Sequence, residues 1–206
     1  MKSLFIFCLL VFLTAPALAQ ESPKSELFAG YSYLRTDEGD IDFFQLTGTP
    51  GTARREGANL NGFDVGITYN LQKSFGFVLD IGGAFGTIDY TVNAQGVTST
   101  QGVRTNLYTF LFGPQFYLRK DRYALFGRGM AGLARVNQKV FVTGQSISAR
   151  DTAFAAGFGG GLDVHFGEKI SARVFQADYI LTLFEDFQTG DRAQGAVRVS
   201  TGLVFR

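Results

Sequence analysis

The chain has no tryptophan, four prolines, one histidine and one cysteine in 206 residues. Cys8 lies inside the apolar run Leu4–Leu13 near the N-terminus. A chain beginning at Gln20 would therefore hold no disulfide, no thiol nucleophile and no cysteine-ligated metal. Charge of one sign is lacking too: 19 Lys and Arg stand against 18 Asp and Glu. That balance offers no basic face for nucleic acid. After Leu13 no stretch reaches the roughly 18 consecutive apolar residues of a membrane helix, and no helical apolar period is sustained. Abundant instead are glycine, at 26, and phenylalanine, at 22. Much Gly and aromatic with little Pro fits extended strands in close backbone approach, not a disordered linker.

Met1–Ala19 has the pattern of a secretory signal peptide. Lys2 gives a positive start, the apolar core is too short to span a bilayer, and Ala17-Leu18-Ala19 is a small-x-small cleavage site. The expected domain division is residues 1–19 removed on export and residues 20–206 as one all-β domain.

Period-2 alternation dominates residues 20–206. Phe63, Val65, Ile67, Tyr69 and Leu71 alternate with Gly62, Asp64, Gly66, Thr68 and Asn70. After Gln72-Lys73-Ser74, the row Phe75, Phe77, Leu79, Ile81 and Phe85 alternates with Gly76, Val78, Asp80, Gly82 and Ala84; Gly83 is the one gap. Successive strand side chains point to opposite faces, so this is a hairpin with one apolar and one polar face. The pattern recurs about eight times, from Leu27–Tyr33 to Val197–Phe205. The connections alternate in length. Asp37–Leu60, Thr87–Thr105, Val136–Asp151 and Phe184–Ala193 are long; Gln72–Ser74, Arg119–Arg122 and Gly167–Lys169 are short. An up-and-down meander then carries every long loop at one end, as transmembrane barrels do.

The polar row decides between a soluble and a membrane barrel. Asp64, Asp80, Arg128, Asp163, Arg173 and Arg198 all fall on it, while the apolar row is almost free of charge. Unpaired charge in an apolar core is prohibitive, whereas a narrow lumen holds charges that pair with one another. In lipid every backbone N–H and C=O must be satisfied within the protein, which demands a sheet without edges. Tyr31, Tyr33, Tyr69, Tyr108, Tyr123 and Phe166 fall towards strand ends, where aromatic girdles sit. The fold expected is all-β, an eight-stranded antiparallel up-and-down transmembrane β-barrel.

With these strands in hand, the chain resembles the small eight-stranded outer-membrane β-barrel proteins, such as the barrel domain of outer membrane protein A and its short relatives. The terminal V-R-V-S-T-G-L-V-F-R is similar to the strand read by the outer-membrane assembly machinery, carried here by Val197, Val199, Thr201, Leu203 and Phe205. Family members usually end on the aromatic, whereas Arg206 comes after Phe205, and its removal is expected to be neutral or helpful. The peptidoglycan-binding domain of longer relatives has no counterpart in this sequence. The resemblance implies location in the bacterial outer membrane, with lipid and the assembly machinery as partners.

Few residues offer chemistry. Gly127-Arg128-Gly129-Met130-Ala131-Gly132 matches G-x-G-x-x-G, with Asp151 about twenty residues on, but no helical period comes after it, so the glycines read as strand residues. His165 has Asp163 and Gly167 as its same-face neighbours, so no nucleophile accompanies it on its own strand. No enzyme activity and no cofactor are expected. If the turn at Gly167-Glu168-Lys169 pairs Phe166 with Ile170, Asp163 falls opposite Arg173, both inward. Such a pair fills and seals the lumen, or else forms a charged constriction that selects ions; sealing is preferred because eight strands leave little width. Glu185, Asp186 and Asp191 read as solvated loop charge rather than a cation site. The first long loop, with Phe43, Phe44, Arg54 and Arg55, is the leading surface for an extracellular ligand, a mobile polar loop being the plain alternative. The function expected is structural and surface-interacting, with a narrow pore for ions or small solutes as the rival and a lipid-modifying enzyme behind it.

Overall fold

A computed structural model describes residues 23–41, 51–94, 96–142, 145–184 and 192–206. Eight long antiparallel strands form one ring: β1 (Ser25–Thr36), β4 (Asn59–Gln72), β5 (Phe75–Ala94), β6 (Val97–Arg119), β7 (Tyr123–Val142), β8 (Gln145–His165), β9 (Ile170–Phe184) and β10 (Arg192–Phe205). Each pairs with its neighbours in sequence, and β1 closes the ring by pairing with both β4 and β10; Tyr31 stands between Phe63 and Thr201. No strand of the ring is left with an open edge, so the backbone of the wall is paired all round. Two short strands, β2 (Gly39–Ile41) and β3 (Gly51–Arg55), form a hairpin in the first connection, and β3 pairs with the far end of β5 from Arg55↔Tyr90 to Gly51↔Ala94.

The alternation sets the two faces. Phe28, Ser32, Leu34, Leu60, Asp64, Val78, Asp80, Leu111 and Val204 are buried in the interior, while their strand neighbours point outward. The outward row is apolar and exposed, for example Ile67, Leu79, Phe110, Phe112, Leu133 and Phe158. Its aromatics gather at two levels. Towards the short turns, Phe75 meets Phe116 at 5.0 Å and Phe77 stacks on Phe112 at 5.5 Å; towards the other end, Phe85 meets Phe63 at 6.2 Å and Tyr108 at 5.7 Å. Gly83, the gap in the apolar row, faces Phe63 across the strand pair, and a Cβ on it would lie 2.5 Å from the Phe63 ring. The phenylalanine covers the glycine, so the outer surface stays continuous there.

Leu79 sits in the middle of this outward belt, between Phe77 and Ile81. Leu79→Arg is expected to destabilise the barrel by about 2–4 kcal/mol in lipid, the cost of a charge on the lipid face near the midplane. Equilibrium urea titration in vesicles checks it; Leu79→Ala serves as the volume control.

Two of the four long connections are not irregular loops. β5 and β6 remain paired out to Ala94↔Val97, turning at Gly96 with φ +79°, and β7 and β8 out to Val142↔Gln145. The apolar–polar alternation fades there because neither face needs to be apolar beyond the belt. Ile88, Tyr90, Thr91, Val92, Thr98 and Thr100 still favour extended backbone.

Inside, three apolar clusters occupy the lumen. Leu34, Leu60, Ala84, Ile88, Ile180 and Ala196 pack at the long-loop end; Val78, Leu111, Met130, Ala134 and Ala155 form a second cluster; Tyr117, Ala124 and Phe126 lie towards the short turns.

Candidate functional site

Every predicted inward charge lies in the lumen: Asp64 on β4, Asp80 on β5, Arg128 on β7, Asp163 on β8, Arg173 on β9 and Arg198 on β10 are all buried. Arg128 and Arg198 meet on a residue that the alternation does not find, Asp178. Strand β9 carries a bulge: Asp163 pairs with Arg173, but Leu162 pairs with Phe175, so Val174 and Phe175 both face outward. One inserted residue flips the parity of the rest of the strand, and Gln176 and Asp178 turn inward. The sequence signal is the doublet Val174-Phe175 ahead of Gln176, two large apolar residues where one was due.

Asp178 takes a two-point grip from Arg128, Nε to Oδ1 at 2.9 Å and Nη2 to Oδ2 at 2.7 Å, and accepts from Arg198 Nη2 at 3.1 Å. Asp80 lies 2.7 Å from Arg198 Nη2 and 2.9 Å from Arg128 Nη2, so both arginines share two carboxylates. Asp64 is 3.7 Å from Arg198 and accepts from Gln176 at 2.6 Å. Gln176 in turn accepts from Arg173 at 2.7 Å, and Arg173 grips Asp163 through Nε at 2.8 Å and Nη2 at 3.0 Å. The planar fork of arginine suits this shared, bidentate geometry. Arg173 is also sandwiched between the rings of Phe28 and Phe126, at 4.4 and 4.2 Å, a favourable placement for a cation.

A second polar layer lies at the short-turn end. Glu26 accepts from Tyr117 at 2.8 Å and Arg119 at 3.0 Å, and Arg206 Nε lies 3.3 Å from it. Together the layers set four aspartates and one glutamate against five arginines, so the described lumen charges balance. Arg206 thus folds back under the barrel; its Nη2 is also 3.0 Å from His165 Nδ1, and its backbone N–H bonds to Lys169. The expectation that its loss is neutral or helpful is therefore revised. Deleting Arg206 is expected to cost about 1.5–3 kcal/mol of stability, as for one charged hydrogen bond, read by thermal unfolding beside Phe205→Ala.

His165 has a hydroxyl neighbour after all. Ser171, directly across on β9, places Oγ 3.0 Å from His165 Nδ1. Counting along one strand misses a partner supplied by the next. Ser171 is fully buried, the imidazole is half-buried, and Arg206 Nη2 lies 3.0 Å from its Nδ1.

Gly127–Gly132 lie within β7, with no helix after them, which removes the geometry that a dinucleotide site needs. Val197, Val199, Leu203 and Phe205 face outward on the closing strand, Phe205 opposite Leu27 and Ile170. In the first loop Arg54 pairs with Glu38, while Arg55 donates to Gln194 and to the Asp37 carbonyl, bracing the hairpin across the barrel mouth. Phe43, Phe44, Glu185, Asp186 and Asp191 lie outside the described residues. Among the described residues no group of His, Cys, Asp and Glu is placed to hold a metal ion.

A closed eight-strand ring, an apolar outer belt and a charge-paired lumen are the marks of an outer-membrane barrel, and the family comparison agrees. The model of the outer membrane protein β-barrel domain matches residues 5–205. The chain belongs to that family. It resides in the bacterial outer membrane. Similar folds include the attachment invasion locus protein Ail of Yersinia pestis in complex with the heparin analogue sucrose octasulfate, at 16% identity and TM-score 0.53, covering 89% of this chain and 100% of that one. Neisserial surface protein A is similar at 11% identity and TM-score 0.55, covering 90% and 99%. No curated protein sequence matches the chain.

Proposed function

We propose that the chain is a non-conducting, non-enzymatic barrel that presents its extracellular end for surface interactions, exported by cleavage of residues 1–19 and inserted through its β10 signal. The observation that carries this reading is the ion-pair network of Asp64, Asp80, Arg128, Asp178 and Arg198, which reaches across the lumen between apolar clusters. An ion entering the barrel would have to break arginine–carboxylate contacts at 2.7 to 3.1 Å and then cross the Leu34–Leu60–Ile180 layer. The cavity beside Arg198, lined by Ser32, Gly82 and Thr109, measures about 10 Å³, room for about one water. The surface role draws on the hairpin at the mouth and, by analogy of fold, on Ail, which was crystallised with a sulfated ligand.

Planar-bilayer recording of the purified barrel tests the sealed lumen. No steady conductance is expected from the parent. A persistent, ion-selective current, altered by Asp80→Asn or Arg198→Gln, would establish the narrow pore instead.

A further inference from the structure

The outer wall bears a cationic patch that neither the lumen network nor the loop hairpin uses. On β7 the outward row runs Tyr123, Leu125, Gly127, Gly129, Ala131 and Leu133, then changes to Arg135, Asn137 and Lys139. Ten residues from Tyr123 to Leu133 rise about 34 Å along the strand. At a tilt of about 40° that is roughly 26 Å along the membrane normal, close to the height of an apolar belt. Arg135 is therefore the first side chain above the hydrocarbon of the outer leaflet. The neighbouring strands add to it: Arg104 on β6 is the direct cross-strand partner of Lys139, and Arg150 on β8 is that of Asn137.

All four cations are exposed, and none forms an ion pair among the described residues. Like charges directly opposite in a sheet are destabilising, so the Arg104–Lys139 pair asks for an anion from outside the chain. Asp89, the outward carboxylate of the adjoining β5, faces Gly102 and pairs with none of them. The opposite side of the barrel differs at the same level. There Arg35 and Tyr33 bond to Asn59, at 2.7 Å each, and Tyr31 bonds to Asn61 at 2.5 Å, so its polar groups are engaged within the protein. Directly beneath the patch, Phe110, Leu133 and Phe154 stand side by side, each about half exposed.

We propose that this face of β6–β8 binds a phosphorylated lipid of the outer leaflet, its phosphates among Arg104, Arg135, Lys139 and Arg150 and its acyl chains along Phe110, Leu133 and Phe154. Cations stacked immediately over lipid-exposed apolar side chains match an amphiphile held at the boundary. A soluble anion would gain nothing from the lower half of the site.

The test uses the full barrel refolded into phosphatidylcholine nanodiscs and titrated with diphosphorylated lipid A, reading bound lipid by native mass spectrometry and the thermal midpoint. Retained lipid and a raised midpoint are expected for the parent. Each cation near an anionic lipid contributes on the order of a fivefold factor, so Arg135→Gln with Lys139→Gln should weaken binding about 25-fold. Arg104→Gln with Arg150→Gln is an independent second pair should the first fold poorly, and Arg35→Gln should bind as the parent does. Dephosphorylated lipid A should not be retained. Equal retention by the parent and both double variants, or of the dephosphorylated lipid, would overturn the proposal. So would an equal midpoint shift from pyrophosphate or sucrose octasulfate without lipid, which would place the ligand in solution.

Discussion

Asp178→Ala will lower the stability of the barrel by about 3–5 kcal/mol, the scale for removing one member of a buried ion pair. The loss is large because Asp178, 1% exposed, receives Arg128 through two hydrogen bonds and Arg198 through a third. Without it, Arg128 keeps only Asp80 and Arg198 keeps Asp80 and the more distant Asp64, and the described lumen as a whole carries one excess positive charge. Urea titration of the refolded barrel in lipid vesicles, monitored by heat-modifiable gel migration, checks the value. Removing both sides of the contact should hurt less: Arg128→Met with Asp178→Leu is expected to be more stable than Asp178→Ala alone, since it leaves fewer uncompensated charges. A loss under about 1 kcal/mol for Asp178→Ala, within the range of exposed ion pairs, would show that the carboxylate is solvated.

Arg173→Ala is expected to cost about as much, 3–5 kcal/mol in round terms, for two separable reasons. Its charge holds Asp163, and its flat face fills the gap between Phe28 and Phe126. A double-mutant cycle with Asp163→Ala separates them. The pair should show a coupling of about 1–3 kcal/mol, as contacting residues do, while the packing loss stays with Arg173→Ala alone. Full additivity would mean that the two side chains do not meet.

Much of this architecture is legible in the sequence because period 2 survives wherever one face meets lipid and the other the lumen. The inward positions of Asp64, Asp80, Arg128 and Arg198 come from alternation alone, and the Asp163–Arg173 register comes from a short turn that leaves one way to count back. The features that escape do so for identifiable causes. Gln176 and Asp178 escape because a bulge at Val174-Phe175 inverts parity, and simple counting from Arg173 places them outside. The extended ribbons of β5–β6 and β7–β8 escape because strands beyond the membrane have no apolar face to advertise them. Ser171 and Arg206 escape because their partners lie on other strands, at contacts fixed only when the ring closes. The outward cations Arg104, Arg135, Lys139 and Arg150 are dispersed over 47 positions of chain and become a patch only through cross-strand register.

The inward turn of Asp178 is the feature on which the sealed, charge-balanced lumen depends, and depth quenching along β9 tests it most directly. Single-cysteine variants from Arg173 to Ile180, labelled with a small fluorophore in vesicles containing brominated lipid, should be quenched at Val174, Phe175, Ala177 and Tyr179. Labels at Gln176 and Asp178 should be protected. Quenching at Val174, Gln176 and Asp178 instead, with Phe175 and Ala177 unquenched, would mean an unbroken strand, an outward Asp178 and a lumen without its central carboxylate.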